Sequence, residues 1–254
     1  MTTILLTLLL LVSINGIAQH TDEQLYNAYL RNDMSVWEDY VTKADWSVLS
    51  LEEKERLLNY EYGYVAVAIG EGHPKAENYL NIFEQHLKEV QPEIALATHS
   101  TYASAVAAYK ISFNKFKMIY YGKQAISLAA SAVEQDSLNP LAMTLKANVD
   151  FYCPKAFGGD KKRALKYLLR AEQLYQEQAL TQYNWNYRAL QLCIAQCYEK
   201  SGNKAKAIEK CQSILAEEPE FQYIANVYLP TLMGKRPNVA PTTAGNKLAD
   251  SILQ

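Results

Sequence analysis

The chain has 254 residues and a formal net charge of −2, with both signs spread along it. The absence of a basic stripe or an acidic tail argues against a nucleic-acid partner. Hydrophobic residues make up 49%, enough for a sizeable core, and ten glycines and eight prolines exclude collagen-like and low-complexity classes. Nineteen tyrosines are a large share; each puts a hydroxyl on the edge of an apolar ring, which suits helix seams and wet binding surfaces.

The first predicted element is an export signal. Residues 4–12 are apolar except for Thr7, and Gly16-Ile17-Ala18 supplies small residues where a signal peptidase cuts. Residues 1–19 are therefore expected to be removed, which gives a periplasmic or secreted address. No Lys or Arg precedes the run, so a retained anchor competes with this reading. The run is shorter than the roughly 20 apolar residues that span a bilayer. No cysteine lies near the cut for lipid attachment.

From residue 22 onward apolar residues recur at three-to-four spacing, and neither strand alternation nor an Asn-Gly hairpin is present. The fold class is all-α. Eleven helices are predicted, at 22–31, 34–43, 51–70, 74–89, 93–112, 118–135, 140–152, 160–178, 184–200, 204–217 and 220–232. Thr21-x-x-Gln24 and Ser50-x-x-Glu53 are capping boxes, in which a hydroxyl and a later side chain satisfy orphan backbone donors. Pro74, Pro92 and Pro140 suit first helical turns, where a missing N–H costs nothing. Trp37, Tyr40 and Trp46 are expected to cap the core at its N-terminal end. Short links make neighbouring helices antiparallel, within one domain over 20–233. Residues 234–254 form an extended or partly disordered tail.

The chemical inventory is thin. His73, His86 and His99 are thirteen residues apart, too wide for one helix face, and His99-Ser100 has no orienting acid beside it. No phosphate loop, EF-hand or zinc-protease motif occurs. The chain is expected to be no enzyme and to carry no cofactor or metal. Cys153, Cys193, Cys197 and Cys211 are read as buried thiols; a Cys197–Cys211 bridge is the alternative in an oxidising compartment. Phe157-Gly158-Gly159-Asp160-Lys161-Lys162-Arg163 is either a structural turn capped by Asp160 or an anion contact at a helix start. Tyr183, Trp185 and Tyr187 either fill a gap left by an insertion or stack on a sugar or peptide.

Residues 188–219 combine Ala195, Tyr198 three later, Gly202 at a turn, Ala207 and a closing Pro219. This tract resembles a tetratricopeptide repeat, two antiparallel helices packed by small and aromatic residues at fixed offsets. The pair Ala207 and Ile214 has upstream counterparts in Ala164 with Ala171 and Ala125 with Ala132, each seven residues apart. These units are 39 and 43 residues apart, so insertions at 153–159 and 178–183 lengthen the family's usual 34. Gln191, Cys211 and Ile214 depart from the family's usual Trp, aromatic and Ala. The resemblance implies a right-handed α-solenoid whose first helices line a concave groove, with Leu192, Gln196 and Glu199 facing it. It also implies a bacterial envelope scaffold that binds a segment of a protein partner. The alternative is a periplasmic protein for a glycan or small metabolite, for which Trp185 and Tyr187 would be the contacts.

Overall fold

The computed structural model describes residues 21–238. The predicted signal and most of the predicted tail lie outside the described residues. Regular structure within them is wholly helical, in eleven α-helices: α1 Asp22–Arg31, α2 Met34–Lys43, α3 Leu51–Glu71, α4 Ala76–Val90, α5 Leu96–Phe113, α6 Met118–Gln135, α7 Pro140–Tyr152, α8 Lys161–Glu177, α9 Trp185–Lys200, α10 Lys204–Glu217 and α11 Leu229–Leu232. The all-α expectation holds.

The helix starts follow their sequence signals. Thr21 and Ser50 both complete their capping boxes. Pro140 opens α7 behind Asn139, whose side chain accepts the N–H of Ala142. Two starts differ from expectation. Pro74 and Pro92 stand before α4 and α5 instead of inside their first turns. Past α4 the carbonyl of Val90 accepts from both Glu93 and Ile94, so residues 91–95 form a turn and α5 begins only at Leu96.

The last predicted helix is interrupted by a π-helical segment, Ile224–Tyr228, before α11. Pro230 is the cause. A proline removes one N–H and its ring crowds the carbonyl four residues earlier, here that of Asn226. The wider π register relieves the clash, and the freed Asn226 carbonyl accepts the N–H of Asn238 at 2.8 Å. The start of the predicted tail is thereby tied back to the body.

Helices α3 to α10 form four successive antiparallel hairpins, and their first members pack on one another in the order α3, α5, α7, α9. The alanines at the seams are buried, with Ala132, Ala164, Ala171, Ala195 and Ala207 all fully enclosed and Ala125 nearly so. Small side chains there let backbones approach closely. Ala207→Leu is expected to overpack the α9–α10 seam and cost about 1–3 kcal/mol, read as a lower urea midpoint at unchanged slope.

The row of first helices closes on itself. Trp185 of α9 donates its indole N–H to Asn59 of α3 at 2.7 Å, and Asn186 donates to the same oxygen at 3.1 Å. Helices α1 and α2 lie across this junction. Trp37 meets Trp185 edge to face with ring centres 5.0 Å apart, and Tyr29 contacts Trp37, Trp185 and Phe221. Trp37 also donates to the Leu25 carbonyl at 2.8 Å. Trp37 is thus a core residue, as expected of a cap; Trp46 lies further out. Gly63 makes the junction possible: a Cβ there would stand 2.6 Å from the Trp37 ring and 2.8 Å from that of Trp185.

Candidate functional site

Four of the five residues expected to contact a partner are buried. Leu192, Gln196, Trp185 and Tyr187 are 8%, 5%, 6% and 3% exposed, because ring closure turns most of α9 inward. Tyr187 instead accepts from the Gln176 amide at 3.1 Å, and Trp185 is held as above. Glu199 is half-buried and accepts the Tyr228 hydroxyl at 3.0 Å. The α9 segment therefore offers no open groove, and Trp185 and Tyr187 offer no face for a sugar. Of the structural positions in the same hairpin, Tyr198 packs against the core, Gly202 takes a left-handed turn with φ 81°, and Pro219 is exposed after α10.

What the first helices enclose is a tyrosine-rich interior. Tyr62 lies 5.8 Å from Tyr102, 6.1 Å from Tyr109 and 5.8 Å from Trp185, ring to ring. Tyr109 donates to the Tyr62 carbonyl at 3.1 Å, and Asn59 donates to the Tyr102 hydroxyl at 3.1 Å. Burial holds the phenols of Tyr29, Tyr62, Tyr102 and Tyr175 above their usual pKa, so they stay neutral hydrogen-bonding groups.

The glycine turn before α8 is occupied by its own side chains. Asp160 accepts the N–H groups of Lys162 and Arg163. Arg163 grips Asp150 through two bonds of 2.7 and 2.9 Å and donates to the Gly158 carbonyl at 2.7 Å. A Cβ at Gly159 would sit 1.7 Å from the Cys153 carbonyl oxygen, so the turn is closed around that atom. This is the structural-turn arrangement, with the helix-start donors satisfied internally. The four cysteines are free, Cys197 and Cys211 included. Burial pushes the thiols of Cys193, Cys197 and Cys211 up to about 12, which makes them inert apolar fillers. No cluster of three or more potential metal ligands occurs among the described residues.

One polar contact had no sequence signal. His86 on α4 meets Glu61 on α3 at 2.7 Å, and its ring stacks on Trp46 with centres 3.9 Å apart and planes 4° from parallel. Glu61 is buried and its second carboxylate oxygen has no hydrogen-bond partner. Burial raises its pKa above 4.5 despite the opposing bond from His86. A carboxyl whose folded pKa is raised stabilises most below the unfolded value, and that stability is lost as pH rises through the folded value. Glu61→Gln is therefore expected to melt higher than the parent above pH 4.5. Its advantage grows with pH toward about 1–3 kcal/mol, the cost of one unsatisfied buried group. Melting curves between about pH 4 and 8 read this slope. Elsewhere, the His73 ring lies 5.5 Å from that of Tyr79, tilted by 36°, and Ser100 beside His99 donates to Gln135 at 2.9 Å.

The surface feature that stands out is the tip of the α5–α6 hairpin. Residues 94–133 contain no Asp or Glu but four lysines. A short 3-10 turn, Lys115–Lys117, joins the two helices, and Asn114 accepts the Lys117 N–H to fix it. Phe116 at its centre is fully exposed, and Met118, Ile119 and Tyr120 are 53%, 60% and 63% exposed. Lys115, Lys117 and Lys123 are exposed and make no ion pair among the described residues. Lys110, further down α5, is paired with Glu84 at 2.7 Å. Tyr120 and Tyr121 meet edge to face at 5.3 Å. Contiguous apolar side chains at a protruding turn, spaced by free cations, are an unusual thing to leave uncovered.

No family model and no curated protein matches the chain. Among solved structures it is similar to the HusA haemophore from Porphyromonas gingivalis, at 20% identity and a TM-score of 0.49, over 72% of this chain and 88% of that one.

No helix among the described residues is long and apolar enough to cross a membrane. Sequence reasoning placed residues 113–117 in a link and passed over them. The signal was available in the run Phe113-Asn114-Lys115-Phe116-Lys117-Met118-Ile119-Tyr120, where apolar residues fill a turn that polar residues ordinarily occupy.

Proposed function

We propose that the chain is an exported, non-catalytic, tetratricopeptide-like binding protein that recognises its partner through the tip of α5–α6 instead of a concave groove. The observation that carries this reading is the fully exposed Phe116 among Met118, Ile119 and Tyr120, on a molecule whose first-helix face is filled by its own aromatics. Aromatic and aliphatic anchors ringed by polar groups are the usual energetic centre of a recognition surface. Export is supported by the apolar run and small-residue cut site of residues 1–19. The repeat reading is supported by the buried seven-residue pairs Ala125–Ala132, Ala164–Ala171 and Ala207–Ile214 in three successive hairpins.

A photo-crosslinking amino acid placed at Phe116 and, separately, at the exposed Leu138 tests this reading in the native envelope. Adducts from position 116 and none from 138 are expected. Equal labelling from both, or none from 116, overturns it.

A second reading is favoured by the free lysines beside the Tyr120–Tyr121 pair: a small flat apolar ligand bearing anionic groups. Haem, an apolar macrocycle with two propionates, is of that chemistry. Absorbance titration with haem would detect it, and an unchanged affinity in Phe116→Glu would place any such binding elsewhere.

A further inference from the structure

Successive antiparallel helices put alternate turns on the same edge of the molecule. The α3–α4, α5–α6, α7–α8 and α9–α10 turns therefore share one edge, and the α4–α5, α6–α7 and α8–α9 links share the other. The Gln178 amide, at the end of α8, donates to the Leu138 carbonyl in the α6–α7 link at 2.7 Å, as this alternation requires.

The two edges differ in charge. The hairpin-turn edge carries exposed Lys75, Lys115, Lys117, Lys155, Lys161, Lys162, Lys200 and Lys204. Its exposed carboxylates are Glu77 and the capping Asp160. The opposite edge carries Glu89, Glu93, Glu134, Asp136, Glu177, Glu217, Glu218 and Glu220. Of the cations there, Arg31, Lys88, Arg170 and Arg188 are held in ion pairs with carboxylates. The basic edge also holds a second protruding aromatic: Phe157 in the α7–α8 turn is 59% exposed, beside Lys155, Lys161 and Lys162.

We infer that this basic edge docks on an anionic phospholipid bilayer, with Phe116 and Phe157 entering the acyl boundary and the lysines level with the phosphates. The inference rests on the α5–α6 tip being the recognition surface, and it names the partner. Two features choose a bilayer over a folded protein. The exposed apolar residues stand on two separate turns of one edge, at 116 and 157, so both can meet a planar interface at once. The cations are spread along a whole edge around those residues, and the tyrosines sit where an amphipathic ring meets headgroups. The acidic far edge is repelled by the same surface, so the molecule binds in one orientation.

The test is co-sedimentation of the chain purified from the envelope with vesicles of phosphatidylcholine alone or with phosphatidylglycerol. All variants share one N-terminus, so differences report the edge. The parent is expected to bind only the phosphatidylglycerol vesicles and to be released by high salt, since exposed charges are screened. Phe116→Glu, and separately Lys115→Glu with Lys117→Glu, lose at least tenfold in vesicle affinity at unchanged circular dichroism. Leu138→Glu on the far edge loses none. Equal binding to phosphatidylcholine vesicles, or full binding by Phe116→Glu, overturns the inference. So does an absence of vesicle binding while position 116 crosslinks to a protein; that outcome leaves the recognition surface standing and removes only the bilayer. Neither vesicle binding nor adducts at 116 removes both.

Discussion

Gly63→Val should cost about 3 kcal/mol and lower the melting temperature by about 6–12 °C, taking roughly 2–4 °C per kcal/mol for a domain of this size. The Cβ alone would lie 2.6 Å from Trp37 and 2.8–2.9 Å from Trp185. Neither indole can withdraw freely. Trp37 is pinned by its bond to the Leu25 carbonyl and Trp185 by its bond to Asn59. The added methyls must therefore push α1–α2 or α9 away from α3. Hydrogen exchange should show that opening first, in residues 22–43. Gly122→Ala is the control. It lies within α6 with nothing within 4 Å of its would-be Cβ, so it should gain about 0.5–1 kcal/mol from reduced backbone entropy in the unfolded chain. Equal effects at the two glycines would mean that the aromatic junction does not limit stability.

Arg188→Ala should cost about 3 kcal/mol, the low end of breaking a buried ion pair, because its carboxylate partners keep some water. The guanidinium is 8% exposed and bonds Glu217 at 2.6 Å, Glu218 at 2.8 Å, the Tyr26 hydroxyl at 2.9 Å and Gln191 at 2.7 Å. Burial would lower its pKa, yet the bonds from Tyr26 and Glu217 hold it above the usual value. Tyr26 in turn donates to Glu218. One side chain thus joins α1, α9 and the end of α10. Tyr26→Phe should cost about 1 kcal/mol, and the double variant should cost less than the sum, since both remove the same network. Strict additivity in urea melts would show that the two residues act separately.

The helices were legible because their signals are local. Capping boxes, Pro140 and the three-to-four spacing act within a few residues, and the predicted bounds of α1, α2, α6, α7 and α10 match those observed. Pro92 misled because the turn that the Val90 carbonyl closes after α4 extends past it, so α5 begins only at Leu96. Pro230, inside the predicted helix 220–232, was the local sign that its register would break. The binding surface was less legible for a different reason. Leu192 and Gln196 were assigned outward by analogy with an open array, and whether α9 faces a groove or a core depends on where α1 and α3 lie. Nothing within α9 encodes that. Trp185 lies 122 residues from Gly63 and 126 from Asn59 along the chain, and their meeting is a property of the whole fold. The Glu61–His86 pair is similar, because its geometry depends on the α3–α4 crossing. Phe116 differs: its oddity is visible in eight residues, provided a turn is searched for apolar content as carefully as a helix is.

The junction of α1 with α9 and Phe221 ties residues 26 and 218 together. In a linear array each unit can fold when its neighbour has formed, and the ends can fray independently. Here a partner of the first helix, Glu218, is synthesised 192 residues after Tyr26. Trp37 waits for Trp185 and Tyr29 for Phe221, so the nascent chain cannot finish its core from the N-terminal side. Such sequence-distant contacts slow the search for the native state, and they make loss of the first twenty described residues felt at residues 218–221.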